Sequence, residues 1–383
     1  MKIAMIGQKG MPAVQGGVES HVHDLSLKLS KNNHEVTVYS RKWYTGKKED
    51  HIFDGVFIKH LPSIHTKHLD AITHTFLATI DAIKNKYDII HYHGIGPSLL
   101  SWVPRIFAPK SMVVSTFHSI DRYDQKWNFL AKLVFRIAER CACYFPHKTI
   151  TISRGLQKYC LNEFYKEADY IPNGINLFDK PISDDKIKEY NLEKNNYLVM
   201  VSRLIPTKGA HVLIEAFNNI KKENRDNEKI QSIKLVVVGG SVYTNEYVKE
   251  LHILASLNND IIFTDFQSGE TLKQLYGHSL GLVHPSFNEG LPLTVLEAMS
   301  YSKPVLVSNI NEHRELIDDN RFFFKENSVE ELKKSILDFI NLPEEEKNRA
   351  GRNNRAIVED RYQWDKIIPQ VIELYENNLA TTN

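Results

Sequence analysis

The stretch NYLVMVSRLIPTKGAHVLIEAF, Asn196–Phe217, contains an apolar run, a short loop with two cations and a helical pattern, in that order. The apolar run has the length and composition of a buried strand, and the segment that follows the loop has apolar residues at helical spacing. The N-terminus has the same order, because the apolar run KIAMIG, Lys2–Gly7, leads into a turn and then a helix predicted to begin near Val18. Since each half opens on a strand that runs into a turn, the sequence predicts two Rossmann-like domains in series.

Short apolar runs alternate with amphipathic stretches along the chain. The predicted strands are KIAMIG, EVTVYS, DIIHYH, MVVSTF and TITIS in the first half, and NYLVMVS, IKLVVVGG, DIIFTDF, GLVHPS and PVLVSN in the second. The stretches ETLKQLYGHS, LTVLEAMS and EELKKSILDFI are predicted helices of the second half. This alternation predicts an α/β fold with parallel, doubly wound sheets.

The chain divides by composition into four parts. Residues 1–178 form the predicted N-terminal domain, and the polar, charged segment 179–196 suits a linker. The second domain is predicted over 197–359. The last part, 360–383, has aromatic and aliphatic residues at helical spacing, which indicates a terminal helix that covers apolar surface. Two domains imply a cleft.

Composition limits the classes of function. The chain has 383 residues, which suits two domains, and a formal net charge of +1, which gives no global field for a nucleic-acid partner. We find neither a signal peptide nor the run of about 20 apolar residues that a membrane span needs, and we expect a cytoplasmic protein. The three cysteines, Cys141, Cys143 and Cys160, lack zinc-site spacing and are expected to be reduced structural thiols.

Two glycines lie at the mouth of the first predicted helix. In GQKGMPAVQGGVES, Gly16 and Gly17 immediately precede the helical pattern. Paired glycines let backbone N–H groups approach a phosphate at a helix N-terminus, although a tight turn that merely needs glycine fits this stretch equally well. The spacing is not G-x-G-x-x-G, and no acidic residue is placed to bind a dinucleotide ribose, so a nicotinamide enzyme is disfavoured.

The loop SRLIPTKG carries two cations, Arg203 and Lys208, between a strand and a helix. Surface Lys and Arg are usually only solvated. Their position at the carboxyl edge of a parallel sheet, however, suits a diphosphate clamp, in which charge-assisted hydrogen bonds contribute about 1.5 to 3 kcal/mol each.

Two glutamates lie in SFNEGLPLTVLEAM, Ser286–Met299. Glu289 precedes Gly290 in a loop after a strand, and Glu297 lies among apolar residues of a predicted helix. An ionised carboxylate beside a core is costly unless donors pair with it, and sugar hydroxyls are suitable donors. A glutamate at a helix start with a structural salt bridge is the alternative reading of this stretch taken alone.

Together these motifs resemble glycosyltransferase family 4, enzymes of the GT-B fold that use nucleotide sugars. The resemblance covers nearly the whole chain and is most specific in NEGLPLTVLEAMSYSKP, with support from VSRLIPTKG, IPNGIN and VVVGG. The N-terminal stretch MIGQKGMPAVQGGVESHVHDLSLKL looks like bacterial cell-surface polysaccharide transferases, rhamnosyltransferases among them. The resemblance implies two Rossmann-like domains that face each other across a cleft, with an acceptor-binding N-terminal domain and a C-terminal helix that crosses back to it.

The resemblance also implies roles for individual residues. Arg203 and Lys208 would clamp the donor diphosphate, Glu289 would accept hydrogen bonds from the donor sugar, and His118 would lie beside the reacting sugar. These four form the expected catalytic set. The expected donor-binding set is Gly16, Gly17, Arg203, Lys208, Gly239, Phe266, Gln267, Glu289, Gly290, Leu291 and Glu297, with Glu297 on the nucleotide ribose and Phe266 and Gln267 beside the base.

Some positions differ from the family pattern. Ser202 and Ser302 stand where the family often has glycine, and Asn311 and Glu312 replace paired glycines before Glu315. Isolated histidines are usually structural, and this applies to His91 and His93 as well as to His118.

The chain contains no D-x-D, so we expect a metal-independent transferase with neither a metal site nor a cofactor, because the nucleotide sugar is a co-substrate. The resemblance implies retention of anomeric configuration and a lipid-linked or saccharide acceptor. A basic amphipathic stretch with Lys132, Arg136 and Arg140 fits either contact with anionic lipid or a domain helix with a solvated basic side. Alternative functions are a nucleotide-sugar epimerase or hydrolase, a phosphorylase with pyridoxal phosphate, and a non-catalytic sugar-nucleotide-binding protein.

Overall fold

The computed structural model describes residues 1–46, 49–66, 69–123, 129–178, 183–241 and 244–379. The chain divides into two compact units. The first unit comprises Met1–Gly174 and Trp364–Asn383, and the second comprises Ile175–Gln363. Both units are α/β, each built on a mainly or wholly parallel sheet, as the sequence predicted.

The first unit has an eight-stranded sheet in the order β3-β4-β2-β1-β5-β6-β7-β8. Its strands are β1 Lys2–Ile6, β2 Glu35–Arg41, β3 His51–Phe53, β4 Val56–Leu61, β5 Ile89–His93, β6 Met112–Phe117, β7 Lys148–Thr151 and β8 Asp169–Tyr170. All pairs are parallel except β3 with β4. The predicted parallel sheet thus has one antiparallel edge strand, because a two-residue turn between β3 and β4 folds them into a hairpin.

Helices alternate with these strands, as the amphipathic stretches predicted. They are α1 Gly17–Lys31, α2 Asp70–Lys84, α3 Ile95–Ser98, α4 Trp102–Phe107, α5 Phe129–Tyr144 and α6 Arg154–Phe164. Residues 124–128 of the basic amphipathic stretch lie outside the described residues. The three cysteines are buried free thiols, as expected.

The second unit has a six-stranded, wholly parallel sheet in the order β11-β10-β9-β12-β13-β14. Its strands are β9 Tyr197–Val201, β10 Lys234–Val238, β11 Ile261–Phe263, β12 Gly281–His284, β13 Val305–Ser308 and β14 Phe323–Phe324. This is the doubly wound order 3-2-1-4-5-6. In such sheets a topological switch point lies between the first and fourth strands, here β9 and β12, where ligands bind at the carboxyl ends.

The helices of the second unit are α7 Asp185–Lys188, α8 Ala210–Glu223, α9 Glu228–Ser232, α10 Asn245–Ala255, α11 Gly269–Gly277, α12 Leu293–Ser300, α13 Asn311–Arg314, α14 Val329–Asn341 and α15 Glu344–Ile357. The segment 179–196, expected as a linker, contains α7 and belongs to the second unit. Lys186 N donates to Gln274 Oε1 at 2.9 Å, which ties α7 to α11. Of this segment, 179–182 lie outside the described residues.

The final helix, α16 Trp364–Leu379, packs into the core of the first unit. Its buried side chains are Trp364, Ile367, Ile368, Val371, Leu374 and Tyr375. The Trp364 ring packs directly against Gly174. A Cβ at this position would lie 2.2 Å from the indole, so glycine is needed there. No helix in the described part of the chain is long and apolar enough to cross a bilayer.

Candidate active site

Lys208 and Glu289 form an ion pair at the switch point of the second unit. Lys208 ends a short 3-10 turn after β9, and Glu289 lies in the loop between β12 and α12. Their side chains are only 12% and 10% exposed. The fold therefore brings together a cation and a carboxylate that the sequence analysis had assigned separately to the diphosphate and to the donor sugar.

The backbone around this pair leaves no space for a side chain at Gly209. This residue has φ of 72°, and a Cβ on it would lie 2.2 Å from the carbonyl oxygen of Pro285. Phe287 N donates to Thr207 O at 2.8 Å, which ties the loop after β12 to the turn that carries Lys208. The close approach that only glycine allows thus fixes the two loops side by side.

The carboxylate of Glu289 also contacts a histidine that the sequence analysis did not assign. His284 Nε2 lies 2.8 Å from Glu289 Oε1. Burial alone would raise the pKa of Glu289, but the Lys208 ammonium and the His284 hydrogen bond outweigh it and hold this pKa well below its ordinary value. Glu289 is therefore an ionised acceptor. His284 could have been suspected only from its place at the carboxyl end of a buried strand.

A second carboxylate and a second histidine stand near this group. Burial, with the nearby carboxylates of Glu289 and Glu315, raises the pKa of Glu312. Burial lowers the pKa of His313 to about 3, and its Nδ1 lies 2.8 Å from Ser308 O. Glu312 is one of the residues that replace the family's paired glycines. In this chain it places negative charge near the Glu289 carboxylate.

Arg203 and Glu297 have different surroundings from the Lys208–Glu289 pair. Arg203 is exposed and forms no ion pair with any residue that the structure describes. Glu297 lies on α12, where it accepts a 2.8 Å hydrogen bond from the Tyr276 hydroxyl. The sequence predicted that hydrogen-bond donors pair with the Glu297 carboxylate, and the Tyr276 hydroxyl is one such donor. Its assigned contact with a ribose stays a prediction.

The remaining donor-site residues lie in loops at the carboxyl ends of the strands. Gly239 follows β10 with φ of 144°, and a Cβ there would lie 1.8 Å from Ser202 O, so only glycine fits. Its N–H donates to Asp265 O at 2.9 Å, which joins the loops after β10 and β11. Phe266 is 42% exposed, whereas Gln267 donates through Nε2 to the Tyr190 hydroxyl at 3.0 Å.

Gly290 and Leu291 are buried just before α12. They follow Glu289 directly in the loop from β12. Their assigned contacts with the donor stay predictions.

In the first unit, Gly16 and Gly17 open α1 as expected, but a carboxylate lies beside them. Glu19 is buried, and a Cβ on Gly16 would be 2.1 Å from its Oε2. Glu19 Oε1 also accepts a 3.2 Å hydrogen bond from Lys9 N. A carboxylate at a helix N-terminus satisfies the dipole in the way a phosphate would. The assigned phosphate role of these glycines stays a prediction.

His118 follows β6 and is one of three buried histidines that lie together in the first unit. His21 on α1 and His93 at the end of β5 are the others, and each of the three offers one nitrogen within 4.8 Å of the other two. Burial lowers the pKa of all three, that of His21 to about 4, so they are neutral near pH 7. His21 was not among the predicted site residues, because it lies 72 positions before His93 along the chain.

His91 has no free nitrogen to offer, because its Nδ1 lies 2.7 Å from the Tyr375 hydroxyl and its Nε2 lies 2.7 Å from Thr116 Oγ1. It is a structural histidine that ties β5 to α16. The caution that the sequence analysis attached to His91 is therefore confirmed.

Comparisons with known proteins identify both halves of the chain. Residues 182–357 match the family described as Glycosyl transferases group 1, and residues 15–178 match Glycosyltransferase Family 4. The O-antigen chain mannosyltransferase C of Escherichia coli is 24% identical over 100% of both chains. A second Escherichia coli protein, UDP-Gal:alpha-D-GlcNAc-diphosphoundecaprenol alpha-1,3-galactosyltransferase, is 25% identical over 76% of this chain and 76% of its own length.

Among solved structures, HepE of Anabaena in complex with UDP and glucose superposes with a TM-score of 0.79 at 21% identity, covering 98% of this chain and 100% of that one. This likeness shows the fold. With both halves matched in order by families of the same enzyme class, the chain is a glycosyltransferase of the GT-B fold, whose first half matches Glycosyltransferase Family 4 and whose second half matches Glycosyl transferases group 1.

Proposed function

We propose that this protein is a retaining, metal-independent glycosyltransferase that moves a sugar from a nucleotide-sugar donor to a lipid-linked or saccharide acceptor in cell-surface polysaccharide synthesis. The observation that carries the proposal is the nearly buried Lys208–Glu289 pair at the switch point between β9 and β12. Such a point is where α/β sheets bind phosphorylated ligands. The pair supplies both charge types that a nucleotide sugar needs: a cation for the diphosphate and an ionised acceptor for sugar hydroxyls.

Stabilising the leaving diphosphate is the main chemical task. Transfer develops positive charge at the anomeric carbon and negative charge on the diphosphate oxygens. Arg203, which is exposed, and Lys208, which is held by Glu289, would together clamp the diphosphate at the sheet edge. A preorganised donor in a site of this kind is worth about 10² to 10³ in rate.

Glu289 orients the sugar. Because its pKa is held well below the ordinary value, it remains an acceptor for sugar hydroxyls near neutral pH. Glu297 would hold the ribose, with the Tyr276 hydroxyl fixing its orientation. His118, neutral because it is buried, would lie beside the reacting sugar in the first unit.

The names of the relatives support a proposal for the donor and acceptor classes. HepE is described with UDP-glucose, and the name of the Escherichia coli galactosyltransferase includes a UDP-sugar and a lipid-linked diphosphate. These names support a UDP-hexose as the proposed donor and a lipid-linked or glycan acceptor. The alternative donor, dTDP-rhamnose, is proposed only from the sequence resemblance to rhamnosyltransferases. A cytoplasmic enzyme that works at the inner face of the cell membrane would meet both substrates.

An exposed apolar stripe on α5 supports contact with that membrane. The stripe, here called the α5 apolar face, consists of Phe129, Leu130, Leu133, Val134 and Ile137, which are 45–85% exposed.

Of the cations predicted beside this face, Lys132 and Arg140 are exposed, whereas Arg136 pairs with Glu163 at 2.7 Å and with Glu139 at 3.4 Å. An apolar stripe flanked by two exposed cations matches an anionic lipid surface.

The test is nucleotide release from a panel of UDP-, dTDP- and GDP-sugars in EDTA, with and without extracted lipid-linked acceptor. Wild type is compared with Glu289→Ala and with a control, Glu326→Ala, which removes an exposed glutamate of the same unit. We expect release with one donor only when acceptor is present, lost in Glu289→Ala and kept in the control. Release without acceptor would replace the proposal by a hydrolase or epimerase. Binding of a donor without turnover would leave a sugar-nucleotide-binding protein.

A further inference from the structure

The nitrogens of His21, His93 and His118 converge as the ligands of a metal site do, within a group of rings that also includes His91 and Trp364. His93 Nδ1 and His118 Nε2 are 3.3 Å apart. Two nitrogens bound to one zinc ion at the usual bond length in tetrahedral geometry are also about 3.3 Å apart. All three ligand atoms lie within 4.8 Å of one another, so small side-chain rotations would close the site.

The rings are spaced as three imidazoles around one ion would be. The ring centroids are 5.1 Å apart for His21 with His118, 5.6 Å for His93 with His118 and 5.7 Å for His21 with His93. Tetrahedral ligation at zinc–nitrogen distances of about 2.0–2.1 Å places such centroids about 5 Å apart. The triangle of rings is thus nearly equilateral and close to the required size.

A hydrogen bond between His93 and His118 could explain why their nitrogens are close, but it does not explain the position of His21. His21 is 7% exposed, yet its Nδ1 has no hydrogen-bond partner among the residues that the structure describes. A buried polar nitrogen left without a partner carries an uncompensated desolvation penalty, which coordination to a cation would remove. The other nitrogen of His93 lies 3.3 Å from Met5 Sδ, where its N–H meets a weak acceptor and Nδ1 stays available as a ligand.

We propose that His21, His93 and His118 bind one divalent transition-metal ion of the zinc class. Imidazole ligands suit Zn²⁺, Cu²⁺ and Ni²⁺, whereas Mg²⁺ and Ca²⁺ need oxygen ligands, and this group contains no carboxylate. Three protein ligands leave a fourth position for water or for a ligand oxygen. The site differs from the sequence expectation, which assigned no metal ligands to the chain, because the three histidines come from α1, β5 and the loop after β6.

The ion would not serve the proposed transfer, which we expect in EDTA. It would instead withdraw His118 from the reacting sugar, so the site is one at which zinc inhibits the enzyme. Only this consequence rests on the proposed function, since binding itself is measured without turnover.

The test is a titration of the full-length, tag-free, chelator-treated chain with Co²⁺, followed by the visible absorption of a four-coordinate ion and by competition with Zn²⁺. We expect one Co²⁺ per chain, displaced by Zn²⁺. The variants His21→Gln, His93→Gln and His118→Gln should each weaken binding by at least about 10- to 100-fold. The control His74→Gln alters another fully buried histidine of the first unit, and His252→Gln an exposed one of the second. Both controls should bind as wild type does.

The variant His21→Cys separates lost ligation from lost folding, because a thiolate is also a zinc-class ligand. It should bind Co²⁺ and add the absorption of a thiolate–cobalt bond. Circular dichroism of each metal-free variant verifies its fold. The proposal is overturned if the wild type binds no Co²⁺, if the three glutamine variants bind it as tightly as the controls do, or if folded His21→Cys shows no thiolate–cobalt absorption.

Discussion

Lys208 and Glu289 lie 81 positions apart in the chain, yet they form a nearly buried ion pair. The parallel order of the second sheet causes this, because β9 and β12 are neighbours and the loops after them leave the same edge. A cation held by a carboxylate is preorganised, so it needs little reorganisation when a diphosphate arrives.

Removing the cation should reduce transfer strongly. We expect Lys208→Met to lower kcat by about 10² to 10³, because the leaving diphosphate loses a preorganised donor. Lys325→Met changes an exposed lysine of the same unit and should leave kcat unchanged. Steady-state nucleotide release measures both. Equal rates for the two variants would remove Lys208 from the mechanism.

The ion pair should make stability depend on acid pH in a defined direction. The pKa of Glu289 in the folded state lies well below its ordinary value of 4.5, so the unfolded chain binds this proton first as the pH falls. The stabilisation is therefore complete above about pH 4.5 and declines below it, toward the folded pKa.

The destabilisation caused by Glu289→Gln, measured by urea unfolding, should accordingly be larger at neutral pH than at pH values below 4.5. If Glu289→Gln lowers the free energy of unfolding equally at neutral pH and below pH 4.5, the lowered pKa of Glu289 is contradicted.

Gly209 should tolerate no side chain. Gly209→Ala requires a Cβ at φ of 72° and 2.2 Å from a backbone oxygen, so we expect the free energy of unfolding to fall by at least about 1 to 3 kcal/mol. The matched control is Gly240→Ala, whose Cβ would have nothing within 4 Å, and its effect should stay within about 0.5 kcal/mol. Similar unfolding midpoints for the two would show that the loop relaxes freely.

Zinc should inhibit transfer through the three histidines. We expect micromolar-range or tighter inhibition by Zn²⁺ that EDTA reverses, and a smaller ratio of the rates without and with Zn²⁺ in His21→Gln than in wild type. The ratio is the readout because any loss of basal rate cancels in it. If His21→Gln is inhibited as strongly as the control His252→Gln, inhibition arises elsewhere.

The α5 apolar face should bind anionic membranes. We expect the protein to sediment with vesicles that contain anionic lipid at low salt and to dissociate from them at high salt, because salt screens the charges. It should not bind zwitterionic vesicles. Leu130→Asp should abolish sedimentation. Ile253→Asp, which alters a residue that is 69% exposed in the second unit, should not. Failure of the wild type to bind would exclude this face as a lipid contact.

The sequence by itself determined the fold class and most of the elements. Runs such as Tyr197–Val201 and Lys234–Val238 appear as strands at the predicted places, and the terminal helical pattern appears as α16. Periodicity is a property of neighbouring residues, so it can be read locally. The short edge strands His51–Phe53, Asp169–Tyr170 and Phe323–Phe324 were missed, because two or three residues are too few to show a period. The six-residue strand Val56–Leu61 was missed as well, although its buried residues alternate as in a half-buried strand.

Only the tertiary structure decided which side chains share a site. The sequence placed Lys208, Glu289 and His118 in strand-end loops, but it could not show that Lys208 pairs with Glu289 or that His284 supports the carboxylate. Nor could it show that His21 joins His118. These contacts depend on which strands become neighbours, and strand order is set by burial of apolar faces across the whole sheet, which no local pattern encodes.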